Sequence, residues 1–475
     1  RRRRRRRLSR AEPPVPGFLL PAEPVTSVDG WRALGGGEGL SLARAKGPDW
    51  VIEEVNRSGL RGRGGGGFRT GRKWAGVRAQ SGTHRYVVCN AAEGEPATFK
   101  DRALLRANPY QLVEGVAIAA FALAARHAYI GIKASFEWEV LALESALAEM
   151  GEAGLAGDVP ITLVPGPDEY LFGEEKAMLE VVEGRPPMPR LLAPYEHGLF
   201  AVAPQIGWEG STAEPGHPAR ERDESNPTLV NNCETLSNVP HILAWGADWF
   251  REMGTEESPG TLVTTVVGDV ARPGYAEVEM GTPLRRVLDE VGGGARPGRT
   301  LKAVFSGVAN AVLTTDRFDT PLSYEAMAAA ASGLGAAGYA VYDDTACMVA
   351  VAQEFSKFLF VESCGQCPPC KLNSEEITNR LAAIDGCRGG DDDIAVIGAR
   401  LLKVTDGNRC YLPVEEQIVV SSILRAFPEE FAAHVEGDCP RHRPDVLVPK
   451  IVDLRDGEVV YDEKQARKRP DWTYA

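Results

Sequence analysis

The sequence predicts an α/β protein that continues into a small α+β module and ends in a helical bundle. Three observations carry this reading. Short apolar runs alternate with longer helical stretches up to about residue 250, the pattern of a largely parallel sheet. Beyond Gly260 two strand-like runs flank a short helix, and the last third reads as helix almost throughout. At 475 residues the chain has room for about three domains.

In chain order, residues 1–30 are rich in Arg and Pro and are expected to form a disordered or artefactual tail. Residues 31–254 are expected to form the α/β domain. Its strands are Tyr86-Val-Val-Cys89, Ala128-Tyr-Ile-Gly-Ile132 and Ile161-Thr-Leu-Val164, separated by helices at 110–126 and 137–150. Residues 201–227 are polar and turn-rich and read as a long loop or insertion. In the 255–336 module, strand Thr261–Gly268 is followed by an Arg272-Pro-Gly turn, a helix from Pro283 to Val291 and strand Lys302–Ser306. Residues 337–436 read as a four-helix domain, with helices at 345–361, 372–385, 394–404 and 413–434. Pro413 suits a helix start, and Glu415 and Glu416 complement the helix dipole. Residues 437–475 are expected to be an extended C-terminal tail.

Composition excludes several classes. Hydrophobic residues make up 44% and charged residues 25%, ordinary values for a soluble protein. The net charge is −13, yet Arg1 to Arg7 and Arg10 supply eight cations, and setting those aside leaves −21. A body so acidic argues against nucleic-acid binding. No signal-peptide core follows the arginines, and the longest apolar stretch, Val116–Ala125, falls short of the ~20 residues that cross a bilayer. A soluble, cytoplasmic protein is expected, without membrane insertion and at most peripheral to a membrane complex.

The nine cysteines are unevenly spread. Residues 362–370 read ESCGQCPPC, placing Cys364, Cys367 and Cys370 at C-x2-C-x2-C. Such a loop can wrap one corner of a cubane and give a thiolate to each of three irons, leaving the fourth iron to a more distant cysteine. Cys410, in DGNRCYLP, is preferred, and Cys387 competes; spacing alone does not choose. The alternatives are a four-cysteine zinc site, whose ligands more often come as two separated pairs, and unligated thiols. The remaining cysteines read as ordinary thiols.

A glycine-rich cationic stretch, SGLRGRGGGGFRTGRKW, occupies 58–74. It formally contains G-x-G-x-x-G, but a helix precedes it where a Rossmann fingerprint needs a strand. Arg57, Arg61, Arg63, Arg69, Arg72 and Lys73 surround glycines whose backbone N–H groups can approach an anion closely, which suits phosphate. Phe68 and Trp74 add flat surfaces for a ring; the competing reading is a solvated basic loop. Strand 85–89 runs straight into Asn90, Glu93 and Glu95, and the carboxyl ends of parallel strands are where ligands bind. Glu174 and Glu175 could equally be helix-dipole complements, and Asn231 and Asn232 a turn or cap.

Read together, SGLRGRGGGGFRTGRKW (58–74), CNAAEGEPATFKDR (89–102), YLFGEEKAMLEVVEG (170–184), PTLVNNCETLSNV (227–239), GADWF (246–250), ESCGQCPPC and Cys410 resemble the NADH-binding, FMN-containing flavoprotein subunit of respiratory complex I. Its diaphorase relatives in NAD-reducing hydrogenases and NAD-dependent formate dehydrogenases share the pattern. The resemblance spans about 50 to 435 with the motifs in order. It implies a Rossmann-like FMN domain, a ubiquitin-like β-grasp module and a helical bundle with one [4Fe–4S] cluster. It places FMN contacts on Gly62, Arg63, Gly64, Lys73, Asn90, Glu93, Tyr170, Glu174, Glu175, Asn231 and Asn232. NADH contacts would include Phe68, Glu95 and Tyr170, with Glu95 and Glu175 among the groups that position the nicotinamide. The family's fourth cluster ligand aligns with Cys410. It also implies a larger redox complex and a small [2Fe–2S] partner protein.

The departures concentrate at the dinucleotide side. Ala92 replaces an aspartate, Leu192-Ala-Pro-Tyr195 replaces Lys-Pro-Pro-Phe, and Gly76 replaces an aromatic residue. Lys176 and Arg69 stand for a small residue and a proline. The expected activity is transfer of a hydride from NADH to FMN, with single electrons leaving through the cluster. The competing expectations are an FMN/[4Fe–4S] relay that no longer binds NADH, and a zinc-stabilised scaffold with an empty flavin pocket.

Overall fold

The computed structural model describes residues 17–82, 84–202, 225–439 and 448–474. The arginine run and most of the 201–227 insertion lie outside these residues. Four strands, β1 (Tyr86–Asn90), β2 (His127–Lys133), β3 (Ile161–Gly166) and β4 (Thr228–Asn232), form a parallel sheet in the order β3-β2-β1-β4. The two-residue period of β1 serves both faces. Val87 and Cys89 join the core under the helices, while Tyr86 and Val88 pack with Phe172 and Met178 on the other side. Burial on both faces is why the strand reads as an unbroken apolar run.

Helix Pro109–Ala122 is buried on nearly every side because it packs between the sheet and helix Cys233–Trp245, and its two interior polar residues, Gln111 and Glu114, are hydrogen-bonded. Asn108 and Asn232 cap these two helices, each accepting a backbone N–H, from Gln111 and Glu234 respectively. The N-terminal segment is not the loose tail expected up to residue 30. Phe18 is buried against His241 and Trp249, and the N–H groups of Leu19 and Leu20 donate to Glu277 at 3.0 and 3.1 Å. Apolar Phe18-Leu-Leu, inside an otherwise Pro-rich stretch, anchors it.

The second sheet has five strands: β5 (Thr261–Gly268), β6 (Gly274–Glu279), β7 (Leu301–Ser306), β8 (Leu313–Thr314) and β9 (Gly338–Asp343), in the order β6-β5-β9-β7-β8. The central β9 lies beyond the boundary expected at 336, so the module runs to about 343. The run GYAVYD holds the strand formers Tyr339, Val341 and Tyr342 but follows an Ala/Gly-rich stretch beyond the expected module, and all six residues are buried.

In the helical domain the expected 413–434 helix divides into Leu412–Ala426 and Pro428–Val435. Pro428 has no N–H to continue the first helix and opens the second. The C-terminal residues are not an extended tail. They form a hairpin, β10 (Ile451–Arg455) with β11 (Glu458–Tyr461), followed by a segment that buries Lys468 against Glu362.

Glu277 allows a stability test away from any cofactor. Burial pushes its carboxyl up to about 7 against the hydrogen bonds from Thr261, Leu20 and Leu19. An acid raised on folding contributes stability that is intact below about pH 4.5 and is lost as pH rises toward 7, at roughly 1.4 kcal/mol per unit. Glu277→Gln keeps an acceptor for the two N–H groups but cannot ionise. Its urea midpoint is therefore expected to fall less than the wild-type midpoint between pH 5 and 7.5. Parallel pH profiles would show that Glu277 has no such role.

Candidate active site

At the carboxyl ends of β1 and β4, Asn90 and Asn232 are register partners. A cavity of about 570 Å³ opens there. It is walled by Gly64–Gly66, by the 90–101 segment after β1 and by the turn holding Tyr170, and it is closed opposite by Asn310, Gly335 and Leu412. Its volume falls within the range of small-molecule sites, about 300–1,000 Å³.

The glycine loop forms a closed arch. The backbones of Arg61 and Arg69 pair antiparallel, and Arg61 Nε donates to the Gly67 carbonyl at 2.8 Å while its guanidinium lies over the Tyr324 ring. Two glycines are required by space. A Cβ on Gly64 would stand 2.9 Å from the Asn232 Cβ, and one on Gly67, at φ +60°, would enter the Tyr324 ring at 2.4 Å. This bare backbone beside the cavity fits a flat, phosphate-bearing ligand.

Of the expected site residues, Gly64, Asn90, Glu93, Glu95, Tyr170, Glu174 and Asn232 line the cavity. Others support it from outside. The Gly62 carbonyl accepts from Tyr324 Oη at 2.6 Å, and Asn231 Oδ1 accepts from Trp74 Nε1 at 2.7 Å. Arg63 is buried and turned away, donating to the Thr261 and Pro259 carbonyls, so it ties the loop to the five-stranded module. Lys73 pairs with Glu175 at 2.9 Å, and Phe68 is 61% exposed.

The cation that does line the cavity is Lys100, which sequence reasoning does not single out, although it lies in the CNAAEGEPATFKDR run. Its Nζ is 2.7 Å from Asp101, 3.0 Å from Glu234 and 3.2 Å from Asn232 Oδ1. Burial would lower its pKa, but Asp101, Glu234 and Glu93 outweigh it and hold the amine charged above its ordinary range. Glu93 in turn takes the Asp101 N–H and Arg102 Nε.

Glu415 is a second site residue that sequence reasoning misses. Tyr170 Oη lies 2.7 Å from Glu95 and 3.1 Å from Glu415, and the Val308 N–H donates to Glu95 at 2.7 Å. One phenolic proton serves only one of two carboxylates, and burial pushes both acids above the usual range. The trio can therefore hold an extra proton beside the cavity. Burial likewise raises Glu174 to about 7, offset in part by Lys176 and the Ala177 N–H. Ala92 lines the same wall but joins an apolar cluster with Phe172 and Met178, so no charge takes the place of the missing aspartate.

Cys364, Cys367, Cys370 and Cys410 surround a small neighbouring cavity with Leu171 and Leu412. Cys367 precedes helix Pro368–Asp385, and Cys410 reaches in from the loop before helix Leu412–Ala426. Cys387 is exposed and does not line it. A single zinc, with Zn–S of about 2.3 Å, would hold its sulfurs about 3.8 Å apart. No three of these four thiols come within 4.8 Å of one another; among the described residues one other group does so. Thiols spread around a cavity fit separate irons of a cluster better than one ion. Cys410, Leu171 and Leu412 line both cavities, so the two sites share a wall.

A glycine-arch cavity sharing a wall with four convergent cysteines defines a flavin- and iron–sulfur-containing oxidoreductase component. The comparisons with known proteins agree. Residues 55–241 match the Nuo51 FMN-binding domain, 263–305 an SLBB domain, and 350–434 the NADH-ubiquinone oxidoreductase-F iron-sulfur binding region. The chain belongs to the family of NADH-quinone oxidoreductase F subunits. It is 36% identical to the F 2 subunit of the NADH-quinone oxidoreductase of Rhizobium meliloti (strain 1021), covering 86% of this chain and 94% of that protein. It is 34% identical to the HndC subunit of the NADP-reducing hydrogenase of Solidesulfovibrio fructosivorans, covering 92% and 86%. The fold is similar to a crystal structure of NAD+-reducing [NiFe]-hydrogenase in the H2-reduced state, with a TM-score of 0.74 and 30% identity over 85% of this chain. The chain spans 66% of that hydrogenase chain, just under two thirds. FMN and a [4Fe–4S] cluster are its cofactors, and its role is electron transfer. Among the described residues no helix is long and apolar enough to cross a membrane.

Proposed function

We propose that this chain oxidises NADH at the 570 Å³ cavity and delivers electrons through the cysteine site to a small [2Fe–2S] partner in a larger cytoplasmic redox complex. The shared wall of Cys410, Leu171 and Leu412 is the observation that carries this reading. Bound FMN supplies the conversion between paired and single electrons. The glycine arch and Lys100 receive its anionic parts, and Asn90 and Asn232 edge its pocket. Glu95 and Tyr170 position the dinucleotide, and the Glu95–Tyr170–Glu415 trio stores a proton close by. Lys73 and Glu175 pair beside Glu174 of the cavity wall.

Gly76 favours a second reading, a relay fed by another protein. The position is exposed, with nothing within 4 Å of where a side chain would be, so no aromatic ring stands there. Anaerobic titration separates the two. About 0.1 mM NADH, inside the ordinary KM range, is expected to bleach the flavin and support ferricyanide reduction. Bleaching only by a reduced partner protein would establish the relay instead. A colourless chain without iron would sink both readings.

A further inference from the structure

We propose that Cys347, His434 and Cys439 form a second metal site, built for a single zinc ion. None of the three lines the flavin cavity or the four-cysteine cavity. Cys347 immediately precedes helix Met348–Glu362, His434 lies in the last turn of helix Pro428–Val435, and Cys439 follows four residues after that helix ends. Residues from both ends of the helical domain thus meet at one point.

The geometry matches zinc. All three ligand atoms lie within 4.8 Å of one another, and Cys347 Sγ is 3.5 Å from His434 Nε2. Around a tetrahedral zinc, with Zn–S of about 2.3 Å and Zn–N of about 2.0 Å, sulfur and nitrogen stand about 3.5 Å apart. The imidazole is also correctly prepared. His434 Nδ1 is 2.8 Å from the Glu430 carbonyl, which can only accept, so Nδ1 carries the proton and Nε2 turns its lone pair toward Cys347. A simple Cys347–His434 hydrogen bond explains one contact but not the second thiol brought to the same point. Two sulfurs and one imidazole nitrogen are a zinc-type donor set.

On binding, each thiol exchanges its proton for a bond to zinc, the two protons pass to solvent, and water completes the fourth position. The ion fastens the start of the helix that leads to Cys364 to the segment from which the C-terminal hairpin departs. It is a staple between the two ends of the helical domain, separate from electron transfer.

Elemental analysis of the FMN- and cluster-loaded chain is expected to give about one zinc beside about four irons. Cys347→Ser and Cys439→Ser are each expected to lose the zinc and keep the iron. Zinc X-ray absorption on the wild-type chain should show two sulfurs at about 2.3 Å and nitrogen at about 2.0 Å, and this measurement stands even if the variants fail to fold. An iron-replete chain without zinc, a zinc shell lacking sulfur, or a Cys347–Cys439 disulfide in the native chain would each overturn the proposal.

Discussion

Cys410→Ser is expected to reduce electron delivery to a [2Fe–2S] partner by at least about 100-fold while leaving flavin bound. Cys410 is the one cluster cysteine outside the 364–370 loop, and the loop before helix Leu412–Ala426 brings it in. Without its thiolate the fourth iron has no protein sulfur, and iron content should fall below about four per chain. Ferricyanide draws electrons from the flavin cavity directly, so its reduction by NADH should fall far less. That contrast distinguishes a broken exit from a broken entrance. Cys387→Ser is the matched control, because Cys387 is exposed and lines neither cavity. Unchanged iron and partner reduction in Cys410→Ser, or equal losses in Cys387→Ser, would remove Cys410 from the cluster.

What is legible in the sequence and what is hidden follow one physical division. Local patterns are legible. The C-x2-C-x2-C loop, the glycine arch and the apolar runs of β1, β2, β3 and β5 each carry their signal within a few residues. Long-range partners are not. Lys100 carries no signal of its own in the sequence; the fold sets it between Asp101 and Glu234, 134 positions onward in the case of Glu234. Glu415 reads as a helix-dipole complement until helix Leu412–Ala426 carries it against Tyr170. Arg63 shows the converse. Its place in a cationic, glycine-rich run suggests phosphate binding, yet burial directs it to the Thr261 and Pro259 carbonyls. A charge count along the chain registers how many cations are near a site but not which ones the fold has already committed elsewhere.

The same division gives the C-terminal residues a role their composition conceals. Lys468 and Glu362 are both fully buried, with Nζ 2.8 Å from Oε2. Glu362 also accepts from Gln465 at 2.9 Å and from the Tyr170 backbone N–H at 3.1 Å. Burial alone would raise this carboxyl, but Lys468 and Lys450 outweigh it and hold it below the ordinary range. One acid therefore joins the segment after the C-terminal hairpin, the flavin-cavity turn and the helix that ends at the cluster loop. Lys468→Met strands a charge in the interior and is expected to cost about 3–5 kcal/mol. Because Lys468 holds the acid depressed in the wild type and burial raises the stranded carboxyl without it, the deficit should be largest at neutral pH and shrink steadily as pH falls and the carboxyl takes a proton. Hydrogen exchange should accelerate over 448–474 and around Tyr170 together. Adding Glu362→Gln to Lys468→Met removes the stranded charge and should restore at least about 2 kcal/mol, since an unpaired buried charge costs more than a neutral polar group. A single variant within about 1 kcal/mol of wild type, a value typical of exposed ion pairs, would show that the segment after the hairpin is held by its other contacts instead.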